Sequence, residues 1–259
     1  MGSDYYRVPD WETRLQTFSH GVGLVVAGVL LSLVAATIGI ALFQGLGLTF
    51  ETTADLAPLP YAALNAIQFL GYYAATVLYL RWRDYPDLFR AAVPSLRDLA
   101  WVVGGFVALY VLAYALTVVF TALGVESATN SVVEQGRKDP VRFLYLIPVT
   151  FLFVAPAEEL LFRGVIQGIF RRAYGVVPAV LFASAIFGLG HWLALLGSST
   201  GKVRYVVVAA MLGLVLGTLY ELTENILVPI LVHAAWNSMS FVSNYVDATG
   251  MLWLAGVGH

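Results

Sequence analysis

Polar and apolar positions are separated into long blocks along this chain. Apart from histidine, no Asp, Glu, Lys or Arg occurs in Leu15–Phe50, Leu56–Leu80, Leu99–Val125, Ala173–Gly201 or Asn225–Val246. Each run reaches the roughly 20 residues that a helix needs to cross a bilayer. The pattern predicts helices over Gly21–Phe43, Tyr61–Leu80, Trp101–Leu123, Phe143–Phe170, Val176–Leu196, Val203–Tyr220 and Ile226–Val246. A short apolar tail, Met251–Val257, reads as an eighth or an interfacial segment. A transmembrane β-barrel would need alternating segments of about ten residues, which the unbroken runs do not provide. The expected fold class is all-α, a polytopic transmembrane helix bundle of about seven to eight spanning helices. Residues 1–142 would hold an N-terminal segment and three spans, residues 143–246 a helical core, and residues 247–259 a short tail.

Composition agrees. The chain is 59% apolar and 12% charged, with a mean hydropathy of +0.80, whereas a soluble domain carries about 25% charged residues. Net charge is −2 and no basic run exceeds two residues, so no nucleic-acid partner is expected. The absence of cysteine removes disulfides, thiolate metal sites and a cysteine nucleophile. The stretch after the polar first twenty residues is too long for a signal h-region. Met1-Gly2-Ser3 lacks the Ser or Thr that a myristoylation motif wants at Tyr6.

Lys and Arg in and beside the loops set orientation. Counting Arg163 as loop charge, nine lie on the side of the N-terminus and five on the other. A multi-pass cell-membrane protein with a cytoplasmic N-terminus is expected, with Arg81–Arg97 along the cytoplasmic lipid surface.

Ionisable residues inside a membrane are costly and point to function by default. Glu158, Glu159, Arg163, His191 and His233 lie within predicted spans, with Asn237 beside the last. Glu159 and Arg163 are spaced i, i+4 and share a helix face, so they can pair. Glu158 faces elsewhere and is free to handle protons. Phe187 lies one turn before His191, and Gly188 and Gly190 permit close helix approach. His233 and Asn237 again share one face. A carboxylate, two imidazoles and an amide are a sufficient inventory for hydrolysis. His20, His259, Glu51, Asp55, Glu221 and Glu224 receive no chemistry, and Asn130–Asp139 reads as an exposed loop. Gly197-Ser198-Ser199-Thr200-Gly201 reads as a flexible connector rather than a nucleophile elbow.

Glu158-Glu159-x-x-x-Arg163, Phe187-x-x-x-His191 and His233-x-x-x-Asn237, complete and in this order on separate spans, resemble the CPBP family of intramembrane proteases. That family includes the type 2 CAAX prenyl endopeptidases and the Abi proteins. The resemblance covers about Phe143–Val246. It implies that Glu158 activates water with help from His191, that His233 and Asn237 stabilise the oxyanion, and that Glu159 and Arg163 support the site. It permits Zn2+ held by Glu158, His191 and His233, with one open position, and equally a metal-free glutamate-and-water mechanism. The implied partners are the lipid bilayer and a membrane-associated peptide substrate, a prenylated CAAX tail included. A non-proteolytic scaffold or bacteriocin-immunity-type protein of the same fold is the rival reading. A transporter fits less well, because all the intramembrane charge lies in the second half.

Overall fold

The computed structural model describes residues 10–85 and 88–251. Arg7, Met1-Gly2-Ser3, Tyr6 and His259 lie outside the described residues, as does the expected tail segment apart from Met251. Seven long helices occur among the described residues: α1 (Trp11–Gly45), α2 (Pro58–Arg83), α3 (Leu96–Ala122), α5 (Val141–Tyr174), α6 (Val176–Gly190), α7 (Ser199–Thr223) and α8 (Leu227–Thr249). A short helix, α4 (Ser131–Lys138), precedes α5. All seven predicted spans are present, and six helices are long and apolar enough to cross a membrane. The seventh, α8, is long enough but carries His233, Asn237 and several hydroxyl residues. The chain is a multi-pass helical membrane protein.

Local chemistry sets the helix ends. Asp10 caps α1 by accepting from the Thr13 N–H at 2.9 Å, and that bond holds its carboxyl below the usual carboxylate range. The helix runs 35 residues, roughly 50 Å at about 1.5 Å per residue, so it outreaches the predicted span by its polar first turns. Pro58 opens α2 at a position that needs no N–H. Ser95 and Asp98 form a capping box at the start of α3.

The central element is α5, which is interrupted twice by wider π turns, Thr150–Val154 and Leu160–Gln167. They flank the Ala155–Glu159 segment that carries both glutamates. Pro156 has no N–H to give to the preceding turn, and the Leu152 carbonyl instead accepts from the Tyr73 hydroxyl at 3.2 Å. Phe143, Ala155, Ala157, Leu161, Val165 and Phe170 of this helix are buried, whereas α1 and α3 expose long rows of Leu and Val, as helices in contact with lipid do.

Three expectations are corrected. Asn130–Asp139 is not an exposed loop: Thr129–Asn130 (β1) pairs antiparallel with Leu195–Leu196 (β2), and Asn130 then caps the half-buried α4. The helix expected over Val176–Leu196 ends at Gly190 and tightens into a 3-10 turn over His191–Ala194. The Gly197–Gly201 stretch is a helix start, not a flexible connector, because the Ser198 side chain accepts from the Gly201 N–H at 3.1 Å. Close approach at Gly188 is as expected, since a Cβ there would sit 2.5 Å from the Val206 carbonyl oxygen. Gly190 has no such neighbour.

The tightest crossing joins α1 to α2, where a Cβ on Gly71 would lie 2.2 Å from the Ser32 backbone nitrogen. Backbone cannot yield as a side chain does, so Gly71→Leu should cost at least the ~1–3 kcal/mol of ordinary overpacking. A melting temperature in detergent unchanged from the parent would show that this crossing is not close.

Candidate active site

Glu158 and Glu159 sit on one short α-helical segment but meet different surroundings. Glu159 is fully buried and its two oxygens are divided. Oε2 lies 3.2 Å from Arg163 Nε, and Oε1 lies 2.8 Å from His233 Nδ1. Arg163 is also fully buried; its Nη2 donates to the Gly213 carbonyl at 3.2 Å, and its guanidinium lies 4.4 Å from the centre of the Phe187 ring. The Nε–Oε2 contact lacks hydrogen-bond alignment, so charge rather than direction holds the pair. One turn further on, Gln167 donates to the Gly217 carbonyl and to Glu221, extending the buried polar row. Glu221 thus has a structural partner that the sequence did not suggest.

Glu158 points the other way, into a cavity of about 380 Å³. His191, His233 and Asn237 line the same cavity, so the four expected site residues converge. His233 spans the two glutamates: with Nδ1 on Glu159, its Nε2 stands 3.6 Å from Glu158 Oε2. His191 Nδ1 is 2.9 Å from the Phe187 carbonyl, a partner that can only accept. The Nδ1 therefore carries the proton, and in the neutral ring Nε2 keeps its lone pair. Phe187 packs between the groups, with its ring centre 4.8 Å from that of His191 and 5.9 Å from that of His233. Asn237 leans on the buried Thr150 hydroxyl at 3.4 Å. Among the described residues, no group of three His, Asp or Glu side chains is arranged to hold a metal ion. Glu158, His191 and His233 share the cavity without forming the zinc ligand set that the resemblance permits.

The cavity also holds residues that the sequence reading passed over. Tyr61, Asn65, Gln68 and Tyr72 line one wall from α2. They recur at three- and four-residue intervals in an otherwise apolar span, and this polar stripe was the available signal. Asn130 and Tyr205, from β1 and α7, line the same cavity and carried no periodic signal.

Residues 140–239 match the family model described as Type II CAAX prenyl endopeptidase Rce1-like. All three motifs fall inside this segment, and the resemblance is shown there. The chain is 24% identical over 192 residues to the protein named "Putative membrane peptidase YdiL" of Bacillus subtilis (strain 168), covering 71% of this chain and 74% of that one. No solved structure matches. The fold and these two likenesses together support a membrane-embedded protease, a hydrolase.

The buried Glu159–Arg163 pair predicts asymmetric mutational costs. Removing one partner strands the other charge, at a cost of about 3–5 kcal/mol. Glu159→Gln should therefore lower yield and melting temperature, and activity should fall with the folded fraction. Arg163→Met should do the same. A Glu159→Gln protein as stable as the parent would remove the supporting role.

Proposed function

We propose that this chain is an intramembrane endopeptidase that hydrolyses a peptide bond of a membrane-associated substrate, with Glu158 activating water. The observation that carries this reading is the split between neighbours: Arg163 and His233 occupy Glu159, while Glu158 alone faces the cavity. Glu158 takes one proton from water and the hydroxide oxygen bonds to the substrate carbonyl carbon. The carbonyl electron pair moves onto oxygen, where Asn237 Nδ2 is the donor at hand; His233, whose Nδ1–H is already given to Glu159, donates from Nε2 only when its ring carries a second proton. His191, by its Nε2 lone pair, accepts the water's second hydrogen and orients it. When the oxyanion collapses, the C–N bond breaks and Glu158 returns its proton to the leaving amine.

The cavity walls suit a peptide. Ile40, Leu64, Phe69 and Leu146 offer apolar surface, and Asn65 and Gln68 offer amide groups to a backbone. We further propose that the N-terminus is cytoplasmic. Arg163 and Arg142 are both buried and drop out of the loop count, which leaves eight Lys and Arg on the N-terminal face against four on the other.

Glu158→Gln keeps the side-chain volume and removes the base. Cleavage of a membrane-anchored peptide in nanodiscs should fall about 10²–10⁴-fold, at an unchanged melting temperature. Parental turnover in that variant would leave the scaffold reading in its place. Chelator should leave turnover of the parent intact. Loss with chelator and recovery with Zn2+ would replace the metal-free step by a metal-bound water.

A further inference from the structure

The cavity belongs to one face of the bundle. Its rim comes from Thr53 between α1 and α2, from Asn130 and Gln135 before α5, and from Ala194 and Tyr205 around the α6–α7 turn. An N-terminus followed by helices that cross in alternation places all three connections on the side away from the N-terminus. None of the described lining residues comes from the connections on the N-terminal side, near 84–95, 175 and 224–226. On that side the Phe162 and Phe187 rings and the buried row Glu159, Arg163 and Gln167 close the floor.

The charges of the two faces differ in number. On the cavity face Arg142 is buried and donates to the Ala54 and Leu56 carbonyls at 2.6 Å each, and Arg204 donates to the Val125 carbonyl. Both are spent on tying loops together, which leaves Arg137 and Lys138 of α4 exposed and Lys202 half-buried on this face, none of them lining the cavity. On the N-terminal face Arg81, Arg83, Arg90, Arg97 and Arg172 are exposed, where they can meet anionic headgroups. Within the cavity Glu158 is the one formally charged group among the described lining residues. No Lys or Arg is there to receive a substrate's terminal carboxylate, and Glu158 would repel one.

Resting on the protease reading, we infer that the site is served from the exoplasmic face. There it would take an internal, uncharged segment of a membrane-anchored polypeptide rather than the carboxylate end of a cytoplasmic tail. The rim loops then admit the peptide from outside, and the floor of buried ion pair and aromatic rings separates Glu158 from the cytoplasm.

The chain has no cysteine, so single cysteines report the faces directly. Ser127→Cys lies on the cavity face and Ala91→Cys on the N-terminal face, and both positions are exposed. In intact spheroplasts a membrane-impermeant maleimide should label the first at least tenfold faster, and the second only after permeabilisation. The reverse pattern overturns the inference and leaves the protease reading standing. In the second arm, an impermeant fluorogenic peptide of uncharged residues, amidated at its C-terminus, is given to sealed vesicles of each orientation. Right-side-out vesicles should cleave it in a Glu158-dependent way and inverted ones should not. The same peptide as a free acid should react at least about tenfold more slowly. Cleavage by inverted vesicles alone, or faster cleavage of the free acid, overturns the inference. If the maleimide pattern is as expected but neither vesicle cleaves, the protease reading fails with its substrate while the facing of the cavity stands.

Discussion

A buried charge inside hydrocarbon must be matched within the protein, and the contact between Arg163 and Glu159 is where this chain meets that demand. Both side chains are fully buried, so an unpaired guanidinium there would cost several kcal/mol. Glu159 supplies the opposite charge, the Gly213 carbonyl one acceptor and the Phe187 ring a cation–π face, while Nη1 has no hydrogen-bond partner among the described residues. The pair in turn fixes three helices. Gly213 leaves just enough room for the guanidinium, because a Cβ on it would stand 3.2 Å from Arg163 Nη2. Glu159 spends its other oxygen on His233, which ties α8 to α5.

From this contact the chemistry of the cavity follows. His233 is held at Nδ1, so its Nε2 must face Glu158. Phe187 stacks on the guanidinium and sets the turn that carries His191. The π turns on either side of Ala155–Glu159 aim the two adjacent carboxylates at different partners, one into the bundle and one into the cavity. Wider turns of this kind gather at functional sites because they redirect side chains without ending a helix. Pro156 loosens the same stretch, and Tyr73 satisfies the carbonyl it leaves free.

The segment that matches the protease family model, 140–239, holds Glu158, His191, His233 and Asn237, but the cavity is not made of that segment alone. Residues of α1, α2, β1 and α4 form much of its wall and rim. On the proposed reading, chemistry and selection would be separable: the matched core would carry the base and donor groups, and the preceding helices would shape what reaches them. Arg142 joins the two parts by holding the loop before α2 to the start of α5.

The spans were legible in the sequence because hydrocarbon tolerates so few charges that block length alone marks them. The six candidate site residues were legible for the same reason, since Glu158, Glu159, Arg163, His191, His233 and Asn237 are polar where polarity is expensive. The i, i+4 spacing also announced the ion pair of Glu159 with Arg163. The third partner was not legible, for nothing in the spacing tells that His233, 74 residues on, would take Glu159's second oxygen. Asn130–Asp139 looked like open loop because polar residues in a connection normally meet water, yet here Asn130, Ser131 and Gln135 turn inward onto a polar cavity. Which face that cavity opens on, and which helix lends it the stripe of Tyr61, Asn65, Gln68 and Tyr72, depended on how the helices cross. Composition determines that a helix spans, because transfer into lipid is a property of each segment by itself. Only the packing of several segments determines where their polar atoms meet, because no helix can satisfy a buried side chain alone.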